Sequence, residues 1–298
     1  RNGSTYKATK EEFLTGAPLP ITDAIINPVD GAMYFTIGGR RVQSGLYRVT
    51  YVCDESTESV VAKSPASEAM ELRRSLERFH GRIDPKAVAE AWPCLASDDR
   101  FISAAARTAL EHQPVESWSE KALTESNPTT QVQALLSLAR VAGVCPQHRT
   151  DDTPPVDTAM RDKILSAVLK IDNADLDLRN QLVMQRLIQI ALNRFGAPDE
   201  ATRKALAAKL DPMFPSQSDD LNWLLCETLA WLESPNIAAK AMAMIQKAPT
   251  QEEQMQYARS IRMLKSGWTP ELQTAYFEWF IKAANYRGGA SFEKFIQF

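Results

Sequence analysis

The chain has 298 residues, about two ordinary domains on a prior of roughly 150 residues each. With 44% hydrophobic and 24% charged residues it sits in the ordinary globular band, which excludes wholesale disorder and a collagen-like repeat. Thirty-four basic against 37 acidic residues leave a net charge of −3, which argues against a chain held to nucleic acid by bulk charge, and no apolar stretch reaches the roughly 18 residues of a membrane span.

The chain opens on Arg1-Asn2-Gly3-Ser4, which reads as loop, with no basic segment leading into an apolar one as a secretory signal would have. It stops at Phe298 inside the apolar-periodic run Phe292, Phe295, Ile296, Phe298. Both ends are expected to be cuts in a longer protein.

Residues 1–60 carry strand signals. Ile21 to Ile26 closes on the turn Asn27-Pro28-Val29-Asp30-Gly31. Ala32 to Ile37 then alternates Met33, Phe35 and Ile37 against Tyr34 and Thr36, the period of a half-buried strand. Gly45 to Val52 alternates Tyr47, Val49 and Tyr51 against Arg48 and Thr50. The glycine-opened polar stretch from Gly38 to Ser44 reads as the hairpin connection between them. Three antiparallel strands cannot easily bury both faces unaided, and a single β-propeller blade has this size and order. Arg40 and Arg41, with Gln43 beside them, are the candidate ligand-binding residues: two guanidinium groups in such a loop can reach a carboxylate or a sugar. A solvated loop, or a clamp to the helical part, is the structural alternative.

Residues 61–298 turn helical. Ala69, Leu72, Leu76 and Phe79 line the first helix, which His80-Gly81 ends, and Asp84-Pro85 opens the next. Periodicity and breakers place helices at 66–80, 84–96, 99–112, 115–125, 128–142, 158–171, 176–195, 199–210, 218–233, 236–247, 250–266 and 270–285. Gly143 to Asp157, with three prolines, reads as a surface loop. The run from Ala91 to Asp99, followed by Phe101, Ile102, Ala105, Ala106, Ala109 and Leu110, resembles a HEAT repeat: an outer helix with a kinking proline, an Asp-containing turn and an Ala/Leu-rich inner helix. Inner-helix patterns start at Ile102, Val132, Leu178, Leu221 and Met255, at successive steps of 30, 46, 43 and 34 residues that bracket the HEAT or armadillo period. The Arg frequent after the first apolar residue survives as Arg179, but Ser103, Gln133, Asn222 and Gln256 replace it elsewhere. The expected fold is therefore mainly α: a right-handed, HEAT-like α-solenoid of helical hairpins preceded by a small antiparallel β-sheet. Two helices should be shielded, one by Leu182, Val183, Leu187, Ile188, Ile190, Ala191 and Leu192, the other by Trp223, Leu224, Leu225, Leu229, Trp231 and Leu232.

Reactive groups are sparse. His80, His112 and His148 share no i, i+4 spacing, and the first two read as helix C-terminal caps. Cys53, Cys94, Cys145 and Cys226 form no C-x-x-C; the even number permits disulfides, Cys94 with Cys145 among them, while small apolar core residues are the alternative. Asp98-Asp99, Asp151-Asp152 and Asp219-Asp220 are explained by capping and the helix dipole. No common catalytic or phosphate-binding motif is present. The aromatic group Trp268, Tyr276, Phe277, Trp279, Phe280 and Tyr286 reads either as a stacking platform or as the sealing core of the last repeat.

The stretch from Asp30 to Arg41 with Gln43 to Val49 resembles the last propeller blade of large planctomycete-type secreted haem-binding proteins, whose propeller is similar to glucose/sorbosone dehydrogenases and runs into HEAT repeats and a c-type cytochrome domain. The resemblance continues through Asp99-Arg100-Phe101-Ile102, Ala109 to Pro114, Leu264 to Thr269, Tyr276 to Phe280 and Arg287 to Phe292. It implies an extracytoplasmic protein, periplasmic or secreted, with haem c, and a quinone or calcium, in modules other than this one. The function it implies is a non-catalytic connector and docking scaffold, meeting adjacent domains or a protein partner on a concave helical face, with no nucleic acid and no membrane span. The runner-up is a part of a sugar dehydrogenase that passes electrons to a c-type haem, with Arg40 supporting the site; loss of activity in full-length Arg40→Ala would favour it.

Overall fold

The structure is a computed structural model and describes residues 2–39, 42–56 and 67–288. The chain divides into two compact units, Arg1–Thr5 with Ser67–Tyr286, and Tyr6–Ala66 with Arg287–Phe298.

The second unit holds one antiparallel sheet in the order β1 (Ile21–Ile26), β2 (Met33–Gly39), β3 (Val42–Val49). Phe35 pairs with Ala24 on one side and Tyr47 on the other, and its ring stacks on Tyr47 at 5.1 Å. Phe35 and Ile37 are buried, as the alternation predicts, but Met33 is only half-buried and Ala32, just before the strand, is buried in addition, whereas every residue of β1 is exposed. The hairpin differs from the expectation. Gly38, Gly39 and Val42 to Ser44 belong to the strands, Gly39 pairing with Val42 past an irregularity at Ile37. Glycine in a strand marks such a bulge.

Twelve α-helices make up the described helical unit: α1 (Glu68–Glu77), α2 (Ala87–Ala91), α3 (Arg100–Glu111), α4 (Ser119–Thr124), α5 (Pro128–Ala142), α6 (Thr158–Lys170), α7 (Leu178–Phe195), α8 (Glu200–Leu210), α9 (Asp219–Trp231), α10 (Ile237–Lys247), α11 (Gln251–Ile261) and α12 (Pro270–Ala283). Each falls inside a stretch that the sequence marks as helical. Their starts follow from capping. The side chains of Ser67, Asp99, Asn127, Asp157, Asp177, Asp199, Ser218, Thr250 and Thr269 each accept a backbone N–H of the first turn. Asp99 and the pair Asp219-Asp220 thus do the capping and dipole work expected of them.

Packing alternates. Odd-numbered helices pack in order, α1 on α3, α3 on α5, α5 on α7, α7 on α9 and α9 on α11. Even-numbered helices pack against their odd partners and among themselves at α4–α6–α8 and α10–α12. The odd row is the dense one. Alanines at 105, 106, 109, 134 and 139 are buried there and permit close approach, and Leu187, Ile188, Leu225 and Leu229 have no exposed surface.

Three of the four polar positions that depart from the HEAT pattern, Ser103, Gln133 and Asn222, belong to a set of buried polar side chains with a common use, whereas Gln256 is not buried. Near the start of each odd helix from α3 on, one buried polar side chain ties the helix to its surroundings. Ser103 donates to the Leu95 carbonyl at 2.8 Å, Gln133 to Asn180 at 3.0 Å, Asn180 to the Asp177 carboxylate at 2.7 Å, Asn222 to the Ser216 carbonyl at 3.0 Å and Gln254 to the Ala248 carbonyl at 3.0 Å. Four of these bonds fix the turn that leads into the helix, and the Gln133–Asn180 bond ties α5 to α7.

Three expectations need correction. The buried stripe of α1 is Met70, Leu76 and Phe79, while Leu72 is exposed, because the helix turns the i, i+3 row of Met70 inward. Trp231, the last residue of α9, is 47% exposed, because it borders recesses lined, among the described residues, only by α7, α9, α11 and the turns after α9 and α11. The aromatic group at α12 is not a sealed core. Its rings do meet, Tyr276 with Phe280 at 5.1 Å and Trp279 with Phe280 at 5.0 Å, and Trp279 is buried. Phe277 and Ile281, however, face outward, as α12 packs on α10 with no later helix among the described residues.

Candidate functional site

Arg40 and Arg41 lie outside the described residues; Gln43 lies in β3 and is exposed. The structure therefore assembles no ligand site from them. His80 lies just past α1, and its Nε2 meets the Ala105 carbonyl at 3.0 Å. His112 is the C-terminal cap residue of α3, and His148 lies in a separate short turn of 3-10 helix. All four cysteines are free thiols, Cys226 buried and Cys53 exposed. Among the described residues no group of three or more His, Cys, Asp or Glu is placed to hold a metal ion. With no C-x-x-C-H either, the residues present do not fit the covalent attachment of a c-type haem.

The helical unit instead presents a groove that the sequence reading did not foresee. Two recesses lie side by side over α7, α9 and α11, both lined by Glu227 and Trp231. The first, about 410 Å³, runs between α7 and α9 and takes Arg186, Gln189 and Asn193 from α7. The second, about 560 Å³, runs between α9 and α11 and takes Gln256 and Arg259, then Arg262 and Lys265 just beyond the helix. Only odd helices and the turns that follow them contribute. This is the uncovered side of the dense row, and Trp231 stands at its middle.

The groove's polar groups are arranged unevenly. Gln189 donates to the Glu227 carboxylate at 3.2 Å and to the Thr228 hydroxyl at 3.2 Å, and accepts from Arg186 at 3.0 Å. The Glu233 carboxylate accepts the Ser266 backbone N–H at 3.0 Å and the Ser266 hydroxyl at 2.7 Å, which closes the turn after α11. The side chains of Asn193, Gln256, Arg259 and Arg262 make no hydrogen bond or ion pair among the described residues. Four cations, Arg186, Arg259, Arg262 and Lys265, thus stand against two carboxylates that are already engaged.

Acid–base or nucleophilic chemistry finds no support in this groove. No histidine lines it, and the Ser260 hydroxyl donates to the Gln256 carbonyl of its own helix at 2.9 Å. Cys226, on α9, is pushed up to about 12 by burial, so it stays a thiol rather than a thiolate at neutral pH. Tyr257, on α11, is raised to about 12 by burial first and then by Asp219.

A third recess, about 530 Å³, lies between α8 and the α9–α10 turn. Its Asp211 carboxylate accepts from Lys240 at 2.9 Å, Ser234 at 3.0 Å and Asn236 at 3.3 Å. Burial pushes Asp211 up and these donors more than offset it, leaving it below the ordinary aspartate value. So saturated a carboxylate is a staple between hairpins.

No helix among the described residues is long and apolar enough to cross a membrane. Comparison with protein-family models, with curated proteins and with solved structures finds no match for this chain.

Proposed function

We propose that the helical unit is a HEAT-like α-solenoid that serves as a non-catalytic connector and docking scaffold. The observation that carries this reading is the strict alternation of packing. Odd helices touch odd helices from α1 to α11, and each intervening even helix packs on at least one of its odd neighbours. In an array of this kind each hairpin contacts only its neighbours, so the array gains length and continuous surface rather than an enclosed cavity. The polar groups of the α7–α9–α11 groove agree with that use, being suited to holding a partner and poor in groups that transfer protons.

In this reading the sheet is the last blade of a propeller. Its fully exposed β1 and its buried Phe35 and Ile37 fit a blade that takes neighbours on either side. The parent is an extracytoplasmic protein of the planctomycete-type dehydrogenase–cytochrome class, and haem c, with a quinone or calcium, belongs to its other modules.

The test is turnover. Purified alone, the chain should leave an aldose and a dye acceptor unreacted; oxidation of the aldose would overturn the scaffold reading. The native protein should exceed the 33.2 kDa of this chain and absorb as a c-type haem protein, and a native mass equal to that of the chain, with no haem band, would refute the assignment to that class.

A further inference from the structure

We infer that the groove over α7, α9 and α11 binds an extended, acidic peptide segment of a protein partner. The inference rests on the docking reading and specifies its ligand.

Three observations converge. The first is charge. The chain as a whole is acidic at −3, yet this groove gathers Arg186, Arg259, Arg262 and Lys265 around two carboxylates that already have donors. Arg259 and Arg262 have no counter-ion among the described residues. Cationic groups aligned without partners select an anionic ligand and speed its approach.

The second is shape. Neighbouring helix axes in such a row are about 9 Å apart, so the two recesses span roughly 18 Å from α7 to α11. Extended chain advances about 3.3 Å per residue, so about six residues fill that span. A compact anion would occupy one recess and leave the other open.

The third is the pairing of amides about an aromatic. Asn193 lines one recess and Gln256 the other, on opposite sides of Trp231, and neither side-chain amide has a partner among the described residues. A carboxamide offers both a donor and an acceptor, the complement of a backbone peptide unit. Trp231, 47% exposed, lies between them as the apolar anchor, the residue type that most often dominates such interfaces. Backbone is thus bonded on either side of a stacked or apolar side chain, and acidic side chains reach the arginines at the α11 end.

The experiment titrates the whole chain into a fluorescein-labelled dodecapeptide, Glu-Leu-Glu-Ser repeated three times, and follows anisotropy. The same peptide with Lys for Glu is the charge control, and free glutamate is the competitor. The acidic probe should bind, and more weakly as salt rises. Trp231→Ala and the double variant R259E/R262E should each weaken it about tenfold or more, with far-ultraviolet circular dichroism unchanged, because all three side chains are exposed. The lysine probe should not bind. Equal affinity for both probes, no binding of the acidic one, indifference to R259E/R262E, or full displacement by free glutamate at matched carboxylate concentration would each overturn the inference. Failure of the peptide with no aldose turnover would remove only the acidic ligand. Turnover would remove the scaffold reading and leave the measured peptide affinities as they stand.

Discussion

The two units of this protein solve the same problem with unequal means. The helical unit buries side chains along its whole length, from Met70 to Ala283, and in α7 alone Met184, Leu187, Ile188, Ala191, Leu192 and Phe195 are inside. The described part of the sheet unit buries only Ala32, Phe35 and Ile37 among its apolar residues, while Ile21, Ile25, Ile26 and Leu46 are exposed. The difference is one of neighbours. A helix in the odd row has helices on both flanks and another behind it, so nearly any apolar residue finds cover. A three-stranded sheet covers one face at best. The helical unit should therefore hold most of the free energy of folding, and the sheet should open first.

Leu187→Asp has the largest expected effect, because it places an unpaired charge where no solvent reaches. The cost is about 4 kcal/mol, read as a large fall in the midpoint of helical unfolding. An unchanged melt would show that α7 is not enclosed. Phe35→Ala probes the other side of the comparison. It removes the sheet's main buried ring and its stacking on Tyr47, at a cost of about 3 kcal/mol, and should appear as faster hydrogen exchange at the β2 amides. Exchange as slow as before would mean that the sheet draws its stability from elsewhere.

That contrast also explains what was legible in advance. Helix positions were, because capping residues and a 3.6-residue period are local: Asp99, Asn127, Asp177 and Thr269 mark their helices wherever these pack. Burial was legible only where neighbours agreed with periodicity. Leu187 and Leu229 were inside as expected, but Trp231 and Phe277 have the same apolar signature and face out. Nothing in their local sequence says that no helix covers them. The groove was missed for the same reason, since it joins residues of α7, α9 and α11 that lie up to about 80 positions apart and that only the stacking of odd helices brings together.

Gln185 sharpens the comparison within the helical unit. Its amide is wholly buried, and neither its nitrogen nor its oxygen finds a partner among the described residues. An unsatisfied buried amide costs about 1 to 2 kcal/mol, so Gln185→Met, close in shape, should raise the denaturant midpoint. A lower midpoint would show that the amide is satisfied by an ordered water.

The smallest effect decides to which unit the first residues belong. Gly3 to Thr5 precede the sheet in sequence yet group with the helices. The link is Asp99, whose carboxylate caps α3 by accepting the Phe101 N–H at 2.9 Å and also accepts the Ser4 N–H at 2.8 Å. Ser67 adds a hydrogen bond to the Gly3 carbonyl at 2.8 Å. Burial pushes the Asp99 carboxyl up, and the Ser4 and Phe101 donors more than offset this, so it titrates below the ordinary 3.8. A carboxyl depressed in the folded state stabilises fully above its unfolded value, and that contribution is lost as pH falls through the folded one. Asp99→Ala should therefore cost about 1 kcal/mol near neutral pH, the usual worth of a cap, and the gap from the parent chain should narrow as pH drops below 3.8. Proton exchange at the Ser4 amide should quicken in the variant while the β2 amides keep their rates. If β2 responded and Ser4 did not, the first five residues would belong with the strands.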